Sequence, residues 1–348
     1  VFHPDVVDFL ATRKENADEK VRIKTLSLGL VVPAKFYDLI KTNEPMYLFS
    51  PYDVERIYGK PFSYIDITEE YDNLVEHPEI RKAKINAREL ETEISNLQNE
   101  SGYPYIINID TVNRANPVYG TILMSNLCTE IFQIMSPSSV NDEQGYDEMG
   151  TDVICNLGST NVANLMASED FGQSVKVALR ALSIVSEKTE TKTVPTVNNG
   201  NQRYHAVGLG AMNLHGFFAK NEMHYGSPES IEFTDLYFLL LNYWTLVASN
   251  ELAAEKGSFY EFEKSDYATG AYFERYLENI LTKETIVYEK NKSLFTDIFI
   301  PSLDDWYALQ QSIHTYGLYN AYRQAIAPTG SISYVNEATA SLHPLIQK

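Results

Sequence analysis

The chain has 348 residues, 44% of them hydrophobic and 22% charged, so it can bury a large core and has a globular composition. Its net charge of -19 argues against the backbone of DNA or RNA as the main partner, because no basic excess is available to displace counterions. Its two cysteines, Cys128 and Cys155, are too few for a disulfide scaffold, and we expect a reducing, cytoplasmic location.

Helical and extended segments alternate along the chain. The first predicted strand, Ile23–Val32, follows a charged loop at Arg13–Arg22. Hydrophobic spacing then predicts a helix, a strand and two further helices, at Ile80–Asn99, Tyr103–Asp110, Gln173–Val185 and Leu236–Lys256. We expect Thr234 to cap the last helix and Gly257 to follow its end. This alternation indicates an α/β fold with a mostly parallel sheet or barrel.

The ends and overall organisation of the chain are less informative. The longest purely apolar stretches, such as Leu236–Leu241, are far too short to cross a bilayer, and no signal peptide opens the sequence. No repeat or linker marks a boundary, so residues 1–348 are treated as one domain, incomplete at both ends. Because the sequence begins at Val1 without a methionine and stops without a closing element, we expect it to be part of a longer polypeptide.

The first cysteine lies in the segment Met124–Ile131, which reads MSNLCTEI. If this segment is extended, Asn126, Cys128 and Glu130 share one face at spacings of about 6–7 Å, so one sugar-sized ligand could touch an amide, a thiol and a carboxylate. The commoner meaning of such a pattern is a half-buried strand with a small apolar cysteine. Taken alone, the segment favours that second interpretation.

The surroundings of Cys128 favour a protonated thiol. From Ala115 to Val175 there are eight acidic residues and no Lys, Arg or His. A nucleophilic cysteine needs positive neighbours that lower its pKa, whereas a carboxylate such as Glu130 favours the neutral S–H group. A neutral thiol is better suited to hydrogen-atom transfer than to acyl transfer.

Two further motifs are candidates for a site. Cys155 lies in VICNLGSTNVAN at Val153–Asn164 and is either a structural thiol, the commoner case, or a redox thiol near a substrate. The stretch QAIAPTGSISY at Gln324–Tyr334 predicts a strand that enters a helix start, where backbone N–H groups and hydroxyls can hold a phosphate. An ordinary capped helix is the alternative. Gly208-Leu209-Gly210 lacks the spacing of a dinucleotide site and is better explained by packing.

Three motifs in this order carry a resemblance: NLCTEI at Asn126–Ile131, ICNLGS at Ile154–Ser159 and APTGSIS at Ala327–Ser333. Other segments of the sequence support the same resemblance, as in ENADEKVRIKTLSLG at Glu15–Gly29 and YHAVGLGAMNLHG at Tyr204–Gly216. Together they closely resemble the large subunit of class I ribonucleotide reductases, most of all the bacterial class Ib type. The resemblance covers essentially all 348 residues.

The resemblance implies a ten-stranded α/β barrel in which a central finger loop carries Cys128. It implies that Cys128 becomes a thiyl radical and removes the 3′ hydrogen of a ribonucleoside diphosphate, while Glu130 acts as general base. Asn126 would hold the sugar hydroxyls, and Cys155 would be one of two thiols that end as a disulfide.

The implied ligand-contacting residues fall into two sets. Those expected to contact the substrate, with Thr329 and Ser331 as hydroxyl donors, are Asn126, Leu127, Cys128, Thr129, Glu130, Pro328, Thr329, Gly330, Ser331 and Ile332. The loop expected to report effector identity to the substrate base consists of Lys14, Glu15, Asn16, Ala17, Asp18, Glu19, Lys20, Val21 and Arg22.

The resemblance also implies partners. The radical would come from a metal–tyrosyl cofactor on a separate small subunit, so no metal ligands are expected in this chain. A deoxynucleoside triphosphate or ATP would act as effector, a glutaredoxin- or thioredoxin-like protein as reductant, and two large subunits would form a homodimer; neither nucleic acid nor membrane is expected as a partner. The second thiol should lie upstream of Val1 and the radical-transfer tyrosines after Lys348, so the segment alone should be inactive.

Three alternatives stay open at this point. One is a cobalamin-dependent reductase or a glycyl-radical enzyme that shares the barrel. Another is a catalytically silent, reductase-derived binding or regulatory protein, against which the retained Asn126, Cys128, Glu130 and Cys155 argue. A cysteine hydrolase is the least favoured, because no histidine shares a short segment with Cys128 to serve as its base.

Overall fold

The structure is a computed structural model, and it describes residues 1–23, 25–143, 145–189, 191, 193–277 and 283–345. The chain divides into two compact units. The first comprises Val1–Asn116 and Thr121–Phe132, and the second comprises Pro117–Gly120 and Gln133–Lys348. Within the described ranges, no helix is both long enough and apolar enough to cross a membrane.

The first unit combines short strands with helices of up to four turns. Its helices are α1 Val6–Ala11, α2 Ala34–Thr42, α3 Pro51–Tyr58, α4 Ile67–Glu76, α5 Ala87–Ser101 and α6 Ile109–Ala115. Its strands are β1 Gly29–Val32, β2 Pro45–Phe49, β3 Lys82–Asn86 and β4 Tyr105–Asn108. Strand β1 pairs in parallel with β4, and β2 pairs with β3 in antiparallel fashion. The rings of Phe2 and Phe49 pack edge-on against Tyr71 in the buried core.

Predictions for the first unit give the right element type for part of each segment but the wrong bounds; the predicted strand Tyr103–Asp110, for example, spans only Tyr105–Asn108. The predicted strand Ile23–Val32 is extended only from Gly29, because Leu26 lies exposed in a bend; Lys24 is outside the described residues. The predicted helix Ile80–Asn99 begins at Ala87, where the side chain of Asn86 accepts the N–H groups of the first turn, and the preceding residues form β3.

The second unit is mainly helical. Its strands are β5 Ser139–Val140, β6 Tyr146–Glu148, β7 Leu157–Asn161 and β8 Gly208–Met212. Its helices are α7 Val162–Met166, α8 Phe171–Lys188, α9 Pro195–Tyr204, α10 Leu214–Lys220, α11 Pro228–Lys256, α12 Asp266–Thr269, α13 Ala271–Leu277, α14 Glu289–Leu294, α15 Leu303–Tyr316 and α16 Gly330–Val335. Strands β7 and β8 are parallel, whereas β5 and β6 form an antiparallel hairpin.

Helix α11 lies at the centre of the second unit and is longer than predicted. Ser227 caps it, with Pro228 at its first position, whereas Thr234 lies inside it and donates its hydroxyl to the carbonyl of Ser230. The prediction of Thr234 as N-cap is therefore wrong, while Gly257 follows the helix as predicted. Helix α8 packs against α11.

A third extended segment lies beside β8. The N–H groups of Val207 and Leu209 donate to the carbonyls of Tyr322 and Arg323 at 3.0 and 2.9 Å. A Cβ added at Gly210 would lie 2.2 Å from the carbonyl oxygen of Ala325, so only glycine permits this approach. The interpretation of Gly208-Leu209-Gly210 as a packing motif is thus confirmed. The mixed helix–strand architecture is confirmed as well, and closure into a ten-stranded barrel stays a prediction.

Candidate functional site

Cys128 lies in a turn. The N–H of Thr129 donates to the carbonyl of Asn126 at 3.2 Å, and Thr129 has a φ of 64°, an unusual conformation for a β-branched residue. The expectation that residues 126, 128 and 130 share one face of an extended strand is therefore wrong. The turn instead brings the side chain of Asn126 against the backbone of Glu130.

The side chain of Asn126 holds this turn. Its Oδ1 accepts hydrogen bonds from the backbone N–H groups of Glu130 and Ile131 at 3.1 and 3.0 Å, and from the hydroxyl of Ser125 at 3.2 Å. In a strand, such N–H groups would donate to the carbonyls of a neighbouring strand. Here one asparagine oxygen accepts both of them. The position of Cys128 therefore depends on one amide side chain.

Exposure distinguishes the thiol from the carboxylate. Cys128 is exposed, as is its neighbour Leu127 at 66%, which contradicts the alternative of a half-buried apolar cysteine. Glu130 is half-buried, and within the described part of the chain its buried Oε2 has no hydrogen-bond partner. A buried carboxylate oxygen without a donor is costly unless it serves a ligand. The turn thus carries an exposed thiol at Cys128 and, two residues later, a carboxylate oxygen without a donor among the described residues.

Cys155 lies in the second unit, two residues before β7 begins, and it is exposed, which disfavours a buried structural thiol. The next residue, Asn156, is buried and anchors the segment. Its Nδ2 donates to the carbonyl of Ala206 at 3.3 Å and to Oδ1 of Asn201 at 3.4 Å. Because Asn156 is fixed in this way, the thiol is held at the amino end of a parallel strand.

The predicted phosphate loop also lies in the second unit and leads into a helix start as predicted, but residues 324–328 before it are not a strand, so that part of the prediction is wrong. Thr329 occupies the N-cap position of α16 and is only 4% exposed, whereas Pro328, Gly330, Ser331 and Ile332 are exposed. The oxygen of the Thr329 hydroxyl accepts the N–H of Ser341 at 2.6 Å. Ser331 and the first N–H groups of α16 are therefore the most accessible donors.

The carboxyl ends of β7 and β8 carry a polar network that the sequence analysis missed. Asn213, with a φ of 70°, donates from Nδ2 to Oδ1 of Asn161 at 2.9 Å. Its own Oδ1 accepts the N–H of Thr339 at 3.1 Å. This network ties the segment that follows α16 to the ends of both strands. Asn213 and Thr339 are 126 residues apart, so no local sequence signal could have revealed it.

The loop Lys14–Arg22 lies in the first unit and is irregular and largely exposed. Lys14 forms an ion pair with Glu93 of α5 at 2.7 Å. A polar cavity of about 390 Å³ is lined by Arg13, Glu15, Arg22, Glu100 and Ser101. The loop is therefore tied to α5 at its start.

The predicted site residues thus fall into two groups. The Asn126–Glu130 turn and the loop Lys14–Arg22 belong to the first unit, whereas Cys155 and the Pro328–Ile332 loop belong to the second. Over the ranges that the structure describes, no group of three or more His, Cys, Asp or Glu side chains could hold a metal ion.

Comparisons with known proteins agree with the motifs. The model of the family described as "Ribonucleotide reductase, barrel domain" matches residues 1–348. The ribonucleoside-diphosphate reductase subunit alpha of Mycoplasma pneumoniae is 47% identical over 347 residues, which are 99% of this chain and 48% of that protein. The subunit alpha of Bacillus subtilis is 42% identical over 351 residues, which are 100% of this chain and 50% of that protein. The chain spans about half the length of these relatives.

These matches cover the whole chain, and they include every segment on which the resemblance was based. They confirm the resemblance. The chain belongs to the family of the ribonucleotide reductase barrel domain.

Proposed function

We propose that this chain is the catalytic barrel domain of a ribonucleoside-diphosphate reductase alpha subunit, which reduces ribonucleoside diphosphates to 2′-deoxyribonucleoside diphosphates for DNA precursor synthesis. The observation that carries the proposal is the turn at Cys128, which has an exposed thiol and, two residues later, a buried carboxylate oxygen of Glu130 that has no partner within the described residues. The names of the relatives support the same reaction. In the proposed architecture, ten strands close into a barrel around this turn, which is its finger loop.

The hydrogen-transfer step uses groups of the first unit. A sulfur radical on Cys128 takes the hydrogen atom from C3′ of the ribose, forming S–H, and Glu130 accepts the proton of the 3′-hydroxyl. Because Oδ1 of Asn126 is occupied by backbone amides, its Nδ2 is the group left to donate to a sugar hydroxyl. The 2′-hydroxyl then leaves as water after protonation.

The reduction step needs two thiols. Cys155 and a second thiol supply two electrons and two protons, so the C2′–O bond is replaced by C2′–H, water is released and a disulfide forms. Cys128 returns its hydrogen atom to C3′ and becomes the sulfur radical again. Because Cys128 and Cys155 are the only cysteines in the sequence, the second thiol comes from outside these 348 residues. A glutaredoxin- or thioredoxin-like protein would reduce the disulfide.

The substrate's diphosphate would bind at Pro328–Ile332. The exposed N–H groups at the start of α16 and the Ser331 hydroxyl can donate to phosphate oxygens, which needs no net positive charge in the chain. Gly330 leaves open space at this point, since a Cβ there would meet nothing within 4 Å.

The remaining parts of the proposal concern partners. A metal–tyrosyl cofactor on a separate small subunit would supply the oxidising equivalent, and no residue of this chain is assigned to hold that metal. A deoxynucleoside triphosphate or ATP would act through the loop Lys14–Arg22 in a homodimer of large subunits. The expected location is the cytoplasm, where thiols stay reduced.

The decisive variant is Cys128→Ser in the intact subunit that carries this sequence, assayed with its radical-generating subunit. Deoxyribonucleotide formation should disappear. The O–H bond of serine is much stronger than the S–H bond of cysteine, so serine cannot replace the thiol in hydrogen-atom transfer. Met124→Ala, at an exposed neighbouring position outside the proposed site, is the matched control and should keep its activity.

Three results would contradict the proposal. Unchanged reduction in Cys128→Ser would remove the radical assignment. An inactive wild-type subunit, tested with its partner and reductant, would favour a catalytically silent binding protein. Activity that depends on cobalamin and needs no small subunit would place the chain with the cobalamin-dependent reductases.

A further inference from the structure

The segment that leads to Cys155 runs beside another stretch of the second unit. Ser136 and Thr151 form an isolated antiparallel bridge, in which each residue donates its backbone N–H to the carbonyl of the other at 3.1 Å. Three positions away from this bridge, in the same register, Gln133 lies opposite Ile154. Among the residues that the structure describes, no backbone hydrogen bond joins this second pair.

The side chain of Gln133 takes the place of the missing backbone bond. Its Nε2 donates to the carbonyl of Ile154 at 3.2 Å, and Gln133 is only 7% exposed. A hydrogen bond shielded from water is electrostatically stronger than one in solvent. The carbonyl of Ile154 belongs to the same planar peptide unit as the nitrogen and Cα of Cys155. Gln133 therefore fixes the orientation of the peptide unit that precedes the thiol.

The residue that follows Cys155 is fixed as well. Asn156 is buried, and its Nδ2 donates to the carbonyl of Ala206 at 3.3 Å. Its own carbonyl accepts the N–H of Gly208, at the start of β8, at 2.8 Å. Between the peptide unit held by Gln133 and the anchored Asn156, the backbone has only the two torsions of Cys155 itself. The exposed thiol is therefore carried by a backbone that is held on both sides.

We propose that Gln133 is a positioning residue that acts through the carbonyl of Ile154 to hold the Cys155 thiol where it delivers reducing equivalents. This inference rests on the function proposed above, which assigns the reduction step to Cys155. A misplacement of about 1 Å can cost about 10²-fold in rate, so a bond that orients the thiol affects turnover more than folding. The residue type matters, because a carbonyl needs a donor, which an amide has and a thioether lacks.

The decisive variant is Gln133→Met in the intact subunit, assayed with its radical-generating partner. Methionine has nearly the length and volume of glutamine but no N–H group, so packing is kept and the bond to Ile154 is lost. We expect kcat to fall roughly 10–10²-fold, with KM for the diphosphate within about twofold of the wild type. In a single round without added reductant, the product and the disulfide of Cys155 should form at the same reduced rate.

Gln98→Met is the matched control, because Nε2 of Gln98 also donates to a backbone carbonyl, that of Pro104 at 2.8 Å, in the first unit. The two variants should lower the urea midpoint by similar amounts, since each loses one amide–carbonyl bond. Only Gln133→Met should lose turnover. If Gln133→Met does not fold, Gln133→Asn compared with Gln98→Asn tests the same bond, because the shorter amide does not span the same gap.

The outcomes distinguish the role of Gln133 from the proposed function. An active subunit with the same kcat in Gln133→Met and Gln98→Met would overturn the positioning role alone. A raised KM at unchanged kcat would also contradict it, since Gln133 would then act in substrate binding. Full reductase activity in Cys155→Ser would remove Cys155 from the proposed reaction, and the role of Gln133 with it. A wild-type subunit that is inactive with its partner and reductant would overturn both proposals.

Discussion

The side-chain oxygen of Asn126 accepts the backbone N–H of Glu130 at 3.1 Å and thereby closes the turn that carries Cys128. A second amide, that of Ile131, donates to the same oxygen at 3.0 Å. The thiol is thus held in place by a side chain instead of a strand ladder, and this arrangement makes the turn sensitive to a single substitution.

Asn126→Ala should loosen the turn. Two backbone N–H groups lose their acceptor, and we expect a loss of about 1–2 kcal/mol in the free energy of unfolding. Reductase activity should fall far more than stability, because the thiol and the Glu130 carboxylate lose their fixed positions. Urea unfolding and turnover of the intact subunit measure the two effects.

A matched control is Asn73→Ala, which removes one exposed hydrogen bond to Glu70 on α4. It should change neither quantity appreciably. Asn126→Asp keeps an acceptor oxygen and should recover most of the stability but not the activity, because the Nδ2 donor is gone. Full activity in Asn126→Ala would show that Cys128 is positioned by something else.

Glu130→Gln tests the role of the carboxylate as a base. The amide has nearly the same shape but cannot accept the 3′-hydroxyl proton, so we expect kcat to fall by roughly 10²–10⁴-fold while the protein stays folded. Glu91→Gln, on the exposed face of α5, is the control and should be active. Equal activity in the two variants would mean that Glu130 is not the base.

The sequence predicted α5 and α8 well because a periodic pattern repeats over many residues in both helices, whereas only the later part of α11 was predicted. The start of α11 was missed because its central turns are buried on all sides, while its first two turns carry Glu229, Glu232 and Asp235. Those turns therefore look like a polar loop, and Thr234 looks like a cap. A helix without one polar face offers no periodicity from which its first turns can be found.

The motifs of the candidate site were located from the sequence, but their geometry was not. Alternating residues around Cys128 suggested a strand, whereas the Asn126 side chain competes with strand pairing and forms a turn. The hydroxyl of Thr329 accepts the N–H of Ser341, and Gln133 donates to the carbonyl of Ile154. These contacts join residues that are distant in sequence, so no local pattern contains them.

Acid should remove a specific stabilising contribution from the first unit. Hydrogen bonds from Arg81 lower the pKa of Asp53 to about 2, below the value of about 3.9 expected in the unfolded chain. Because the folded state favours the ionised carboxylate, this stabilisation is present above about pH 4 and is lost as the pH falls toward 2. Asp53→Asn should therefore lower the urea midpoint at pH 7 but hardly at pH 2.

The control for the pH experiment is Asp72→Asn. Asp72 pairs with Lys35 at 3.2 Å, but its side chain is 80% exposed, and such surface pairs contribute little. Its urea midpoint should follow that of the wild type from pH 7 to pH 2. A difference between Asp53→Asn and wild type that grows on acidification would contradict the assigned direction of the pKa shift.

Two glycines of the second unit should respond to alanine differently. At Gly210 the added Cβ would meet the carbonyl oxygen of Ala325 at 2.2 Å, so Gly210→Ala must push the extended segment away from β8. We expect a loss of about 1–3 kcal/mol in unfolding free energy. At Gly330 the Cβ would meet nothing within 4 Å, and alanine there should be neutral or slightly stabilising.

Gly330→Ala should impair substrate binding without lowering stability. If phosphate oxygens approach the first N–H groups of α16, a methyl group at the first residue of the helix obstructs that approach, and KM for the diphosphate should rise while the melting temperature stays unchanged. Gly210→Ala should instead lower the melting temperature. If KM is unaltered in Gly330→Ala, the diphosphate does not bind at this loop. The result can be interpreted directly, because the variant is expected to fold like the wild type.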